Sequence, residues 1–499
     1  METVQSLLIG FQTALTPTNL FVCVVGILIG TIVGALPGIG PTGAVAILLP
    51  ASYSLGPAAA LIMLAGIYYG TQYGGTITSV LMNVPGESSS VVTTFDGYQM
   101  AKQGRAGVAL GIAAIGSFVG GTLSVIGLMA FGPMLADYAL SFGPPEYFGL
   151  MVLALSLITA FTGKSLVRGL IATIFGLLLG CVGDDVISGD PRLTFGINGL
   201  LDGIQFLPVA VGLFGVSEMI ESLILKENCD IVKVDLGWRK VLPSWPDIRR
   251  SIGPMLRGSV LGFFVGVLPG AGATIASFLS YGVEQKVSST PDKFGKGAIE
   301  GVAGPETANN ASTGGAMIPM LSLGIPGSGT TAILLGALLM FGLHPGPSLF
   351  KEAPEVVWGL IASMYIGNIL LLVINIGFIP PMVWTMDRIS PYIRLVVLIL
   401  ALVGVYSFRN ETLDVIIMLS FAVIGIFMKK YEFPLAPVVL GLILGDRAEI
   451  SLRQSLTISQ NDPSIFFTHR ISAVLLIVAF VSFFLPVISK ALGRMRSTE

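Results

Sequence analysis

The sequence predicts an all-α polytopic membrane protein of about 12 spans, built from two inverted-topology repeats with Gly-Pro-broken or re-entrant helices. Three observations carry that prediction. Of the 499 residues, 53% are hydrophobic and only 11% charged, where soluble domains carry about 25% charged. Apolar runs recur along the whole chain, many near the ~20 residues that cross a bilayer. Finally, "GALPGIGPTG" at 34–43 returns as "GVLPGAGATI" at 266–275.

The apolar windows fall near 20–36, 57–70, 107–132, 146–162, 165–182, 204–224, 252–268, 328–345, 355–378, 391–408, 411–428, 433–445 and 471–488. Those at 57–70, 328–345 and 433–445 are short or interrupted by Gly and Pro. The N-terminal segment lacks the basic stretch of a secretory signal, so the first span is expected to stay in the protein.

Loop charge sets the expected orientation, because Lys and Arg stay cytoplasmic. The segment 225–251 carries Lys226, Lys233, Arg239, Lys240, Arg249 and Arg250 and is placed inside. Asp184, Asp185 and Asp190 against Arg192 place 183–198 outside. Lys102, Arg105, Lys164, Arg168, Lys429, Lys430 and the tail with Lys490, Arg494 and Arg496 fall inside. The N-terminus is therefore expected to be periplasmic and the C-terminus cytoplasmic. These assignments alternate only if 20–56 leaves and returns on the outer face and 252–282 on the inner. The organisation read from this is a first inverted repeat at 1–224, a basic cytoplasmic linker at 225–251, a second repeat at 252–445, and an extra span and tail at 446–499.

The repeat is in register. Gly30, Gly34, Pro37, Gly38 and Gly40 map onto Gly262, Gly266, Pro269, Gly270 and Gly272, with 262 − 30 = 232. A second pair of phrases, "GTQYGGTITSVLMNVPGESSS" at 70–90 and "NNASTGGAMIPMLSLGIPGSGTT" at 309–331, shares a Gly-Gly pair (74–75, 314–315) and then Pro-Gly (85–86, 326–327). Their spacers differ by one residue when the Gly-Gly pairs are aligned.

Backbone freed at membrane depth must be satisfied by protein or by a water-lined cavity. Broken helices exploit this: half-helix starts offer N–H groups and positive dipole ends to anions, and freed carbonyls hold cations. The expected substrate-binding residues are therefore Gly38, Gly40, Thr42, Gly86, Ser88, Ser89, Ser90, Gly270, Gly272, Thr274, Gly327, Ser328 and Thr330. Asn83, Asn309, Asn310 and Thr313 offer oxygens to a coupling cation, the asparagines each within or just before a break. No Lys or Arg lies in the four phrases, so an anion would rely on dipoles, hydroxyls and a co-bound cation. Glu87 and Glu306 are candidate gating or ion-site acids, with an interfacial position as the equal alternative for each. The plainer reading is that the glycines only let helices approach, the prolines only kink, and the hydroxyls only cap.

Other functions find little support. The net charge of −2 gives no footprint for nucleic acid. Cys23, Cys181 and Cys229 lack metal or redox spacing. His344 and His469 supply no nucleophile–base or metal constellation, so no enzyme is expected and no cofactor beyond Na⁺. Gly38-Ile-Gly40-Pro-Thr-Gly43 fits GxGxxG, but a membrane-length run precedes it and no βαβ alternation follows.

The phrases "LPGIGPTGAVAILLP", "YYGTQYGGTITSVLMNVPGESSS", "GVLPGAGATIASFLSYGVE" and "GPETANNASTGGAMIPMLSLGIPGSGTT" together closely resemble the large membrane subunit of the tripartite tricarboxylate transporters, over nearly the whole chain. The resemblance implies a bacterial inner-membrane permease that works with a small four-span membrane subunit and a periplasmic solute-binding protein. It also implies uptake of a di-, tri- or aromatic carboxylate driven by an ion gradient, usually Na⁺. The absence of a Walker A phrase fits that expectation. Membrane lipid is the expected surrounding, nucleic acid is not a partner, and an oligomer stays open. The alternatives are a stand-alone H⁺-coupled organic anion transporter, an intramembrane enzyme and a channel.

Overall fold

The computed structural model describes residues 2–35, 40–161, 165–185, 189–224, 241–270, 272–377, 398–399, 401–407 and 409–496. In chain order its principal helices are α1 (Glu2–Ala14), α2 (Pro17–Gly34), α3 (Pro41–Ser52), α4 (Pro57–Met82), α5 (Val91–Lys102), α6 (Ala106–Ala139), α7 (Pro144–Phe161) and α8 (Leu166–Gly180). They continue with α9 over 206–224, which contains a π segment at Val211–Val216. After it come α10 (Trp245–Val267), α11 (Gly272–Val287), α12 (Glu300–Leu323), α13 (Gly329–Met340), α14 (Pro354–Gly377), α15 (Thr412–Lys430), α16 (Ala436–Ile458) and α17 (Arg470–Arg496). A small antiparallel hairpin pairs Gly183 with Arg192 and Asp184 with Pro191.

Helices α2, α6, α14 and α15 are long and apolar enough to cross a membrane. Exposed apolar residues such as Leu256, Val260 and Phe264 of α10 suit contact with lipid tails, where only fully hydrogen-bonded backbone is tolerated.

The structure corrects several element boundaries. The window at 57–70 is the first part of an unbroken helix running to Met82. Helix α12 was absent from the windows, because Glu306, Asn309, Asn310 and Thr313 interrupt its hydropathy. Every residue from Glu300 to Ser322 is buried, so Glu306, Asn309 and Asn310 bond to groups on other elements, and Thr313 to its own helix, instead of facing lipid. Helix α16 runs past the window at 433–445 to Ile458. Helix α10 begins at Trp245, inside the segment read as a linker; residues 225–240 of that segment, and half of the 391–408 window, lie outside the described residues.

Glycine seams organise the interior. A Cβ on Gly26, Gly30 or Gly34 of α2 would fall 2.4, 2.5 and 2.3 Å from the carbonyl oxygens of Met63, Ile67 and Thr71 of α4. On Gly258, Gly262 and Gly266 of α10 it would fall 2.5, 2.2 and 2.2 Å from those of Gly304, Ala308 and Ser312 of α12. Only glycine permits such close backbone approach, the usual means of packing helices in a membrane. The glycines are offset by 258 − 26 = 232 and their partners by 304 − 63 = 241, so one seam occurs twice.

The same contacts refine the sequence register. Gly74 stands against the Thr31 carbonyl and Gly315 against that of Phe263, which again gives 315 − 74 = 241 and 263 − 31 = 232. Gly74 therefore corresponds to Gly315, and Gly75 to Ala316. The pairing of 74–75 with 314–315 was one residue off, and the unequal spacer disappears, since 326 − 85 is also 241.

Candidate ligand-binding cavity

Each described break is built from local signals. Helix α4 ends at Asn83 and α12 at Gly324, both in the left-handed region (φ 57° and 70°) that closes helix C-termini. The chain restarts after Pro-Gly with a cap. Ser328 accepts from the Thr331 N–H and Thr331 from the Ser328 N–H, a reciprocal capping box at the start of α13. Glu87 and Ser90 form the counterpart ahead of α5. Helix α3 starts at Pro41, a position where the missing N–H has no intrahelical role. Helix α11 starts at Gly272 (φ 64°).

These four starts meet. A cavity of about 380 Å³ is lined by Pro41 and Thr42, by Ser88 and Ser89, by Gly270, Gly272 and Thr274, and by Ser328, Gly329 and Thr330. Tyr68 and Gln72 of α4, Phe214 of α9 and Ala436 and Leu440 of α16 complete its wall with Glu87. Hydroxyl pairs stitch the halves together. Thr42 Oγ1 lies 3.0 Å from Thr330 Oγ1, and Ser88 Oγ lies 2.9 Å from Thr274 Oγ1. The Gly270 N–H donates to the Gly327 carbonyl at 3.0 Å, joining the two breaks of the second half.

Among the described residues no lysine or arginine lines the cavity. Positive potential comes from the helix starts, each equivalent to roughly half a charge. The acid in the wall, Glu87, is buried; it accepts from Ser89 and, at 3.0 Å, from Asn309 Nδ2. The Gln72 amide lies 2.7 Å from Glu87 Oε2, and its nitrogen facing the carboxylate satisfies both groups. One layer deeper, buried Glu306 accepts from Thr76 at 2.7 Å and from Thr93. Buried Tyr68 shares the cavity wall with Ser328 and Gln72. By the 241 offset Tyr68 corresponds to Asn309 and Glu87 to Ser328, so the two positions are paired across the halves with different chemistry.

Eight of the expected substrate residues reach the cavity wall: Thr42, Ser88, Ser89, Gly270, Gly272, Thr274, Ser328 and Thr330. Five do not. Gly38 lies outside the described residues. Gly40 caps α3. Gly86 packs on the Gly34 carbonyl and Gly327 on Ala316 and the Gly266 carbonyl, so both shape the turn from behind. Ser90 turns back to Ser79 and the Glu87 backbone.

The expected ion set is not one cluster. Asn83 is an exposed helix end. Asn309 and Asn310 sit in the middle of α12 and not beside its break, because their amides bond across helices to Glu87 and Ser117. Thr313 donates to the Asn310 carbonyl at 2.6 Å. Tyr68 and Gln72 were missed. Their signal was present: two polar residues four apart, on one helical face, inside an apolar run.

The fold and the cavity define an all-helical membrane protein with a polar site between broken helices. The chain belongs to the tripartite tricarboxylate transporter TctA family, whose model matches residues 20–440. It is similar to an uncharacterized 52.8 kDa protein in the TAR-I ttuC' 3'region of Agrobacterium vitis, 45% identical over 96% of this chain and 95% of that protein. It is also similar to an uncharacterized protein in the TAR-II ttuC' 3'region of the same organism, 42% identical over 43% of this chain and 89% of that one. No solved structure matches it significantly.

Proposed function

We propose that this chain is the permease subunit of a binding-protein-dependent secondary transporter in the bacterial inner membrane, importing a carboxylate by cation symport, with Na⁺ as the coupling ion. The observation that carries the reading is the convergence of four helix starts, two from each half, on one cavity whose acid is Glu87. Helix starts and hydroxyls suit the carboxylate oxygens. Glu87, facing the same space, suits a hard cation that neutralises the anion as both bind. Cavity and charge thus favour loading of the two together, which is what symport requires.

The doubled seam supports two repeats, 1–224 and 252–445, entering from opposite faces, with the N-terminus periplasmic and the C-terminus cytoplasmic. Alternating access then moves the bundle bearing the breaks against a scaffold of more continuous helices, by an elevator or rocking motion. The family's name supports two partners, a small four-span membrane subunit and a periplasmic solute-binding protein that delivers the solute.

The test is uptake into proteoliposomes holding both membrane subunits and the loaded binding protein, with Na⁺ present or replaced by choline. Uptake that collapses without Na⁺ and without the binding protein supports the reading. Uptake driven by a pH gradient alone, with no binding protein, supports instead a stand-alone H⁺-coupled organic anion transporter. Buried Glu87 is the feature that favours this second reading.

A further inference from the structure

We infer that a second pocket, at the junction of α5, α10 and α12, binds a phosphate group, that of an anionic phospholipid headgroup. It has a volume of about 260 Å³ and is separate from the transport cavity. Arg105, Arg250, Lys293 and Lys296 surround it, against Asp247 in its wall and Glu300 beside it, which pairs with Arg250 at 2.6 Å. Four cations face these two acids and, beneath them, the buried carboxylate of Asp96, which leaves a formal surplus of one positive charge for a phosphate.

The floor is rigid. Fully buried Asp96 accepts the N–H groups of Gly297 and Ala298 at 2.8 and 2.7 Å and the Tyr281 hydroxyl at 2.9 Å. Gln103 donates to the Lys296 carbonyl at 2.8 Å. The loop that carries both lysines is therefore held at its C-terminal end, beside Lys296.

The arginines keep donors in reserve. Arg105 gives Nη2 to Asp247 at 2.7 Å. Arg250 gives Nε to Glu300 and Nη2 to Thr290, both at 2.6 Å. A guanidinium has five N–H donors, so each can still point a fork at a phosphate. Lys293 and Lys296 are exposed and enter no ion pair among the described residues. Trp245, 69% exposed at the start of α10, sets the pocket near a membrane interface, where tryptophan accumulates. Basic pockets between helices at that level suit lipid headgroups.

The experiment follows thermal unfolding of the purified chain in detergent. It is titrated with a short-chain phosphatidylglycerol, with phosphatidylcholine of equal chain length, and with inorganic phosphate. Variants are K293A/K296A and, as a charge-matched control, K286A/K430A, which removes exposed lysines outside the pocket. Phosphatidylglycerol should raise the unfolding temperature of the wild type and of the control. In K293A/K296A its apparent affinity should fall about thirtyfold, from roughly fivefold per basic residue. Phosphatidylcholine should do little. A shift reproduced by inorganic phosphate alone would keep the phosphate chemistry but overturn the lipid as its source. Equal affinities in K293A/K296A and the control would overturn the pocket altogether. R250K, which keeps the charge but loses the fork, should weaken the lipid effect at unchanged net charge; failure to do so would overturn the arginine's part in it.

Discussion

Asn309 donates its amide to Glu87 at 3.0 Å across 222 residues of sequence, tying the middle of α12 to the break after α4. The bond holds the carboxylate of the cavity wall in place from the opposite half of the chain. Its partners define what each change should do. E87Q keeps an acceptor for Asn309 and removes the charge. If Glu87 holds the coupling cation, the cation concentration for half-maximal uptake should rise roughly tenfold or more, since bonds to a charged group contribute about 1.5–3 kcal/mol. N309L should raise it several-fold, whereas N83L, at an exposed helix end, should leave it alone. Uptake against Na⁺, with thermal stability measured alongside, separates an ion role from a loss of folding. An unmoved midpoint in E87Q would remove Glu87 from the ion site.

The hydroxyl pair Thr42–Thr330 should act as a unit. T42V and T330V each break the same contact, worth about 1 kcal/mol, so each should raise the KM for uptake about fivefold. The double variant should be little worse than either single, because the contact is lost only once. Additive effects would mean that the hydroxyls meet the solute independently.

Ser88 and Thr274 report on movement. Their hydroxyls are 2.9 Å apart across the cavity. With the three native cysteines replaced, S88C/T274C should crosslink under mild oxidation, stop uptake, and recover on reduction. Full uptake by the crosslinked protein would mean that these breaks do not separate during transport.

The glycine seams predict a graded stability series. G262A would place a Cβ 2.2 Å from the Ala308 carbonyl, and G30A one 2.5 Å from that of Ile67. Each should destabilise the protein by about 1–3 kcal/mol. G282A, in α11 with nothing within 4 Å, should be neutral or stabilising by up to about 1 kcal/mol. Unfolding temperatures in detergent check all three.

Much of this protein was legible in its sequence. Low charge and repeated apolar runs state the solvent, since a bilayer admits little else. The breaks were legible because Pro-Gly after an apolar run has few backbone solutions, and the recurrence of the first at a constant offset of 232 and of the second as a similar phrase marked them as pairs. Eight residues now seen on one wall could be named because helix starts need hydroxyls and glycines, a local requirement. Tertiary structure decided the rest. Hydropathy hid α12, whose Glu306 and Asn309 are tolerable only because Thr76, Thr93 and Glu87 meet them from other helices. The one-residue register error was settled by which carbonyl each glycine touches. Asn309 moved from a break to mid-helix, and Tyr68 and Gln72 joined the cavity, for one reason: in a membrane a buried polar group is defined by its partner on another helix, and the sequence names the groups but not the pairing.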